Sequence, residues 1–137
     1  MVPLGHSLGI ETERIVINPG EAEFFQVTKK IHNMLQGAEG TLSPEELDVY
    51  FKCLQRVAND MRAKELSADV WFVHDPQLLP LAKVLPKNEG ETWVWICHID
   101  LTTPNKSVLD ALMPLTQYYD RLIFSQAAYV PEGLGDK

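Results

Sequence analysis

The feature that most constrains the fold of this chain is a series of short apolar runs that do not alternate with polar residues. These runs lie at residues 69–74, 92–98 and 120–125. Unalternating apolar strands are typical of a parallel sheet, and the Trp-Phe-Val segment at 71–73 is expected to be buried on both faces. Helical patterns separate the runs. The predicted fold class is therefore α/β, with a Rossmann-like, mostly parallel sheet that carries helices on both faces.

Helices are predicted before and between these runs. In residues 21–36, apolar side chains recur at the spacing of one helical face, and Gly37 ends the pattern. Ser43, followed by Pro44 and by Glu46, indicates a capped start for a second helix that continues to residue 64. The other predicted elements are a helix that ends at Gly9, a strand at 10–17, and helices near 77–85 and 104–119.

Composition and charge limit the class of protein. The 137 residues are predicted to form one domain, with 45% hydrophobic and 23% charged side chains as in ordinary globular proteins. The formal charge of −7 argues against a nucleic-acid-binding protein, because such proteins normally carry a basic surface. No apolar stretch approaches the roughly 20 residues that cross a bilayer, and no secretory signal is recognised. The sequence therefore predicts a cytoplasmic protein that binds neither nucleic acid nor membrane.

The sequence gives no reason to expect a cofactor. It contains neither the glycine-rich fingerprint of dinucleotide-binding proteins nor a phosphate-binding P-loop. Cys53 and Cys97 do not have the spacing of metal ligands, so both are expected to be reduced and buried.

Polar side chains follow two of the predicted strands at the point where each strand ends. His74 and Asp75 end the first run, and His98 and Asp100 end the next. In open α/β sheets, ligands bind in the crevice beyond the carboxyl ends of the strands. A right-handed crossover often places consecutive parallel strands side by side, so we expect two imidazoles and two carboxylates to converge on one edge of the sheet.

Several kinds of site are compatible with these residue types. Metal binding is possible but weakly supported, because no His or Cys pair has the spacing of ligands on a helix. A serine hydrolase is disfavoured because the sequence has no G-x-S-x-G motif. A polyhydroxylated ligand is the better match, since carboxylates and imidazoles form hydrogen bonds with hydroxyl groups. Trp71, Trp93 and Trp95 would suit a sugar ring, but core packing is the simpler expectation for each.

The motifs VHDPQLLPLAKVL and CHIDLTTPN resemble segments of the acceptor-side, N-terminal domain of retaining GT-B glycosyltransferases of the family 4 type that make or cleave trehalose. Among these, the trehalose glycosyltransferring synthases and trehalose phosphorylases also share a segment similar to EFFQVTKKIHNMLQG, at residues 23–37. The resemblance extends over nearly the whole chain. It implies transfer of glucose, with retention of configuration, from nucleotide-glucose or glucose phosphate to glucose.

The resemblance also implies roles for individual residues. Asp75 would contact the acceptor sugar, and His98 would form a hydrogen bond with the donor glucose; these two are the predicted catalytic residues. The predicted substrate-binding residues are His74, Gln77, Asp100, His32 and Asn33.

The sequence departs from the family pattern at three points. The glycine-rich loop that approaches the donor and the whole donor-binding domain are not found, and Ile96 stands where a basic residue is expected. We therefore expect a partial GT-B domain that is inactive alone, binds a glucose- or trehalose-type sugar, and meets nucleotide-glucose only with a separate donor domain. The alternatives are a non-catalytic sugar-binding module and a self-associating structural remnant. An uncovered sheet edge favours a homo-oligomer.

Overall fold

The protein is seen in a computed structural model that describes residues 9, 11–17 and 20–131. A parallel sheet of three strands in the order β1-β2-β3 forms its centre. The strands are β1 (Val70–His74), β2 (Thr92–Cys97) and β3 (Arg121–Phe124). The α-helices are α1 (Ala22–Leu35), α2 (Pro44–Ala63), α3 (Leu81–Val84) and α4 (Lys106–Leu112). Three 3₁₀ helices span Pro76–Leu78, Met113–Tyr118 and Ala127–Tyr129. The predicted α/β class, with a Rossmann-like parallel sheet, is confirmed.

One face of the sheet and the helices share a single hydrophobic core. The strands contribute Val73, Trp93, Trp95, Cys97 and Leu122 to it, together with buried side chains from α1, α2 and α4. Trp93 and Trp95, the two tryptophans of β2, are almost completely buried. Because the strand order follows the chain, right-handed crossovers place the connecting helices on the same face of the sheet.

The opposite face is exposed along its two outer strands, whereas Val94 and Ile96 of the central strand β2 are buried on it. Val70, Phe72 and Ile123 point to this side and are 43%, 45% and 46% exposed. The core formed by the described residues takes no side chain from this face. The prediction that the Trp-Phe-Val segment is buried on both faces is wrong for Phe72, because this side chain lies on an edge strand of the sheet and is 45% exposed.

The two long helices agree closely with their sequence signals. The Ser43 hydroxyl accepts a hydrogen bond from the backbone N–H of Glu46 at 3.1 Å, and the Glu46 carboxylate accepts one from the Ser43 N–H at 3.0 Å. The predicted capping box is therefore confirmed. The Lys30 ammonium group of α1 also forms a salt bridge with the Glu46 carboxylate at 2.9 Å. This contact links α1 to α2. Gly37 follows α1 with a positive φ of 109°, as expected for a glycine after a helix.

Prolines divide the two shorter predicted helices. The helix expected near 77–85 is a 3₁₀ turn at Pro76–Leu78 followed by α3, and Pro80 lies between them. The helix expected at 104–119 is α4 followed by the 3₁₀ segment Met113–Tyr118, which contains Pro114. A proline inside a helix lacks the N–H that a regular α-helix requires, so the sequence pattern overestimated the length of each helix.

The beginning of the chain differs from the prediction. Residues 11–17, expected within a strand at 10–17, form no strand. They do not pair with the sheet, and Ile15 and Val16 are 40% and 74% exposed. The predicted helix that ends at Gly9 lies almost entirely outside the described residues. No helix in the ranges 11–17 and 20–131 is both long and apolar enough to cross a membrane.

Candidate functional site

The ends of β1 and β2 bring His74 and His98 into direct contact. His74 is paired with Ile96 in the sheet, and His98 lies two residues further along, so both side chains are on the same face. The Nδ1 atom of His74 and the Nε2 atom of His98 are 3.0 Å apart. The ring planes differ by only 5° and their centroids are 5.3 Å apart, a spacing that fits two coplanar rings joined edge to edge by this hydrogen bond.

Asp75 adopts a backbone conformation that is rare for any residue except glycine. Its φ is 62° and its ψ is 171°. A residue that precedes a proline normally has a negative φ in the extended region. Conformations of this kind cost on the order of 1–3 kcal/mol and persist only where the surrounding structure enforces them.

Hydrogen bonds from β2 and α2 enforce the conformation of Asp75. Its N–H donates to the carbonyl of Ile96 at 2.8 Å, and its own carbonyl accepts from the indole Nε1 of Trp95 at 3.0 Å. Its Oδ1 atom accepts from the backbone N–H of His98 at 2.9 Å. The hydroxyl of Tyr50 in α2 donates to the carbonyl of Pro76, the next residue. The turn after β1 is therefore held on both sides.

Burial keeps the Tyr50 hydroxyl and the Cys97 thiol beneath this turn protonated. Burial, together with the nearby Tyr119, raises the pKa of Tyr50 well above its ordinary value, so the hydroxyl remains a donor. Burial is also the main cause that raises the pKa of Cys97 to about 11, and the Asp75 carboxylate adds to this effect. A thiol of this kind is not a nucleophile at neutral pH. Both cysteines are free and buried, as predicted.

Asp100 forms its hydrogen bonds within its own loop. Its Oδ1 atom accepts from the backbone N–H of Thr102 at 2.8 Å and from the Thr102 hydroxyl at 2.6 Å. These hydrogen bonds lower the pKa of Asp100. Among the described residues, it forms no hydrogen bond with His74, Asp75 or His98. Hydrogen bonds therefore join three of the four groups that were expected at this edge of the sheet.

The predicted site residues of α1 lie near the loop that follows β2. His32 and Asn33 are in the last turn of α1, and Asn33 is exposed. In the described part of the chain, neither is hydrogen-bonded to the two histidines at the strand ends. Gln77 is exposed in the 3₁₀ turn directly after Asp75.

Contacts between the end of α1 and this loop were missed by sequence reasoning. The N–H of Asn105 donates to the carbonyl of Met34, and its side-chain amide donates to the carbonyls of Ala38 and Gly40, each at 3.0 Å or less. A side chain at Gly37 would approach the carbonyl of Thr103 to 2.9 Å. The available signal was the Pro-Asn pair before α4, because asparagine commonly caps a helix; Asn105 also caps α4.

The geometry leaves polar atoms at the strand ends available to a ligand. Within the described residues, Oδ2 of Asp75, Nδ1 of His98 and Nε2 of His74 have no hydrogen-bond partner. These atoms can bind hydroxyl groups as donors or acceptors. The described residues contain no group of three or more His, Cys, Asp or Glu side chains that could hold a metal ion.

The parallel α/β sheet defines the chain as a Rossmann-like domain, and its polar cluster lies beyond the carboxyl ends of the strands, where such sheets commonly bind ligands. Residues 1–131 match the family described as "Trehalose synthase, N-terminal domain", and the chain belongs to that family. The family predicted from the sequence motifs is thus confirmed.

Individual relatives agree with this assignment. The chain is 38% identical over 135 residues to a trehalose synthase of Rubrobacter xylanophilus, and the match covers 98% of this chain and 32% of the relative. It is 38% identical over 138 residues to a trehalose synthase of Thermococcus litoralis, covering 100% and 32%. It is 40% identical over 130 residues to a trehalose synthase of Pyrococcus horikoshii, covering 95% and 30%. The chain thus spans about a third of the length of the curated relatives it matches.

Proposed function

We propose that this chain forms the acceptor-side part of a GT-B glucosyltransferase that makes or cleaves trehalose. The reaction is the transfer of glucose from nucleotide-glucose or glucose phosphate to glucose, with retention of configuration. In this proposal Asp75 contacts the acceptor sugar and His98 contacts the donor glucose. His74, Gln77, Asp100, His32 and Asn33 are the further substrate-binding residues.

The observation that carries the proposal is the fixed geometry of Asp75. Its backbone is rare for an aspartate, and its carboxylate is bonded to the backbone of His98 at the end of the neighbouring strand. Strained residues that several neighbours hold in place cluster at active sites and ligand-binding sites. A carboxylate positioned before a ligand arrives can hold an acceptor hydroxyl with little loss of entropy, which is how positioning accelerates bimolecular reactions.

The proposal assigns only part of the reaction to these 137 residues. Glucosyl transfer needs the leaving phosphate neutralised and the donor aligned with the acceptor. The relatives are about three times as long as this chain, and we place the donor-phosphate contacts in the part of the enzyme outside it. The chain alone is then inactive, and nucleotide-glucose binds only together with a donor domain.

Calorimetry on the isolated chain tests the acceptor site. Glucose and trehalose should bind with millimolar affinity, and Asp75→Asn should weaken binding about tenfold, as expected for losing a hydrogen bond to a charged group. The asparagine keeps an oxygen for the His98 N–H, so the fold is retained. Asp48→Asn is the matched control, because Asp48 is exposed on α2 and pairs only with Lys52 among the described residues. Equal binding by both variants contradicts the role of Asp75.

An activity assay tests the enzyme assignment. Nucleotide-activated glucose and glucose are supplied to the chain alone and to the chain mixed with the separately produced remainder of a relative. Trehalose should form only in the mixture, and His98→Ala should abolish it. If sugar binds but no mixture yields product, the alternative of a non-catalytic sugar-binding module replaces the enzyme.

The apolar side chains exposed on one face of the sheet favour self-association. The location that we propose for the protein is the cytoplasm. Val70, Phe72 and Ile123 expose apolar surface on one side of the sheet. Exposed apolar side chains on one face of a sheet can form contacts between proteins. We propose a homo-oligomer, and light scattering tests it: a monomeric mass at high protein concentration is the result against it.

A further inference from the structure

We propose that His74 is a positioning residue, which fixes the hydrogen-bonding state of His98 at the sugar site. The proposal rests on the function proposed above only for the identity of the ligand. It assigns to His74 an action on its neighbouring imidazole, in addition to the contact with substrate proposed above.

The geometry of the two rings determines how their protons are shared. A hydrogen bond between two imidazole nitrogens contains one proton, so one ring donates and the other accepts. In a neutral pair with His98 Nε2 as the acceptor, the remaining proton of His98 lies on Nδ1. With Nε2 as the donor, Nδ1 is an acceptor. His74 occupies Nε2 in both cases, so His98 offers a ligand only Nδ1.

The same proton count links the outer nitrogens of the two rings. When His74 Nδ1 donates, its Nε2 is an acceptor while His98 Nδ1 is a donor; the reverse state exchanges both roles. A neutral pair therefore always presents one donor and one acceptor to solvent or ligand. A sugar hydroxyl that accepts from His98 selects the first state across both residues. The tautomer of His98 is then set together with that of His74, and is not free to vary alone.

The backbones of both histidines are held while their rings face solvent. His74 is the last residue of β1, and the backbone N–H of His98 is bonded to Asp75. Both side chains are exposed. Since the sheet and Asp75 fix the two backbones, the two rings can form their hydrogen bond without any movement of the main chain. Such neighbouring hydrogen bonds commonly fix the tautomer and orientation of functional histidines.

NMR on the full chain labelled with ¹⁵N in its histidine rings tests this inference without any sugar. Long-range ¹⁵N–¹H correlations identify which ring nitrogen carries the proton. In the wild type, the protonated fractions of His74 Nε2 and His98 Nδ1 should sum to one, because each neutral state of the pair protonates one of these two nitrogens. In His74→Phe, which keeps a flat ring but has no nitrogen, the ¹⁵N shifts of His98 should move towards those of a free imidazole. The matched control His32→Phe should leave them unchanged.

The outcome separates positioning from a structural role and from the proposed function. His74→Ala serves as a second variant, and backbone amide spectra check that each variant is folded. Unchanged ¹⁵N shifts of His98 in folded His74→Phe or His74→Ala overturn the inference, whether or not sugars bind. Altered shifts support it even if the chain binds no sugar, because the readout contains no ligand.

Discussion

An aspartate follows the end of β1 and another follows the end of β2, at the same edge of the sheet, but the two carboxylates are held by different kinds of partner. Asp75 has a rare backbone conformation, and its hydrogen bonds reach Ile96, Trp95 and His98 of the neighbouring strand and its extension. Among the described residues, the Asp100 carboxylate accepts hydrogen bonds only from Thr102, two residues away. One carboxylate is fixed by the tertiary structure, and the other stabilises its own turn.

This difference shows which of the two carboxylates is held in position before a ligand binds. A group held by several elements keeps its position when a ligand arrives, whereas a group bonded only within its own loop moves with that loop. Asp75 directly follows β1, whereas Asp100 lies three residues after β2, in the loop beyond the paired positions. The hydrogen bonds from Trp95, and from Tyr50 to the carbonyl of Pro76, make the first one rigid.

The largest effect is expected from removing the indole that holds the turn after β1. Trp95→Phe should lower the free energy of unfolding by about 2 kcal/mol or more, because it removes volume from the core and the donor to the Asp75 carbonyl. Trp93→Phe is the matched control. Trp93 is equally buried, but its indole reaches Glu91 only at 3.4 Å, so the same change should cost roughly 1 kcal/mol less.

Urea unfolding followed by circular dichroism measures both variants. Equal losses for Trp95→Phe and Trp93→Phe would show that the bond to the Asp75 carbonyl contributes nothing to the stability of this end. The contrast between the two strand ends would then rest on the conformation of Asp75 alone.

A smaller effect is expected from relieving the strain at Asp75. Asp75→Gly and Asp75→Ala both lose the bond to the His98 N–H, but only glycine adopts the observed φ without strain. The glycine variant should therefore be more stable than the alanine variant by about 1–3 kcal/mol, measured from urea midpoints.

The same pair of substitutions at Asp100 provides the comparison. Among the described residues, the non-glycine positions with positive φ are Glu65 and Asp75, so Asp100 has ordinary backbone geometry. Asp100→Gly should be no more stable than Asp100→Ala. If glycine were equally favourable at both positions, the strain assigned to the end of β1 would be refuted.

The smallest effect is expected from Asp100→Asn, and it should depend on pH. Hydrogen bonds from Thr102 lower the pKa of Asp100 below its ordinary value of 3.8. The stability from the ionised form is therefore present above 3.8 and is lost as pH falls through the lowered pKa of the folded state. The wild type should be slightly more stable than Asp100→Asn at neutral pH.

Urea midpoints measured from neutral pH to about pH 3 test this pH dependence. The small advantage of the wild type over Asp100→Asn should disappear towards the acidic end. Parallel curves for the two proteins over the whole range would contradict the assigned role of the Thr102 hydrogen bonds.

The sequence predicts the parts of this fold that depend on local patterns. Apolar runs identified the three strands of the sheet, and the Ser43 capping box identified the start of α2. These signals succeed because an apolar run and a cap each act over a few neighbouring residues. Residues 11–17 show the limit: a pattern typical of a strand formed none, because strand formation also needs a partner.

The sequence could not predict the details that give the site its character. A residue before proline favours an extended conformation, so nothing local indicates the positive φ of Asp75. The contact between His74 and His98 depends on the register of β1 with β2, which only the folded sheet defines. Asp100 was expected to join the cluster, but a short-range partner, Thr102, takes its carboxylate.

The bond from the indole of Trp95 to the carbonyl of Asp75 also has an optical consequence. The emission of a tryptophan depends on the charges and dipoles around its indole, and this indole lies directly under the turn that carries the proposed acceptor contact. A sugar bound at the Asp75 carboxylate will change the electric field at Trp95, and with it the emission, although the turn keeps its position and the indole stays buried. With Trp71 and Trp93 replaced by phenylalanine, the protein would report sugar binding at the Asp75 carboxylate by its own fluorescence.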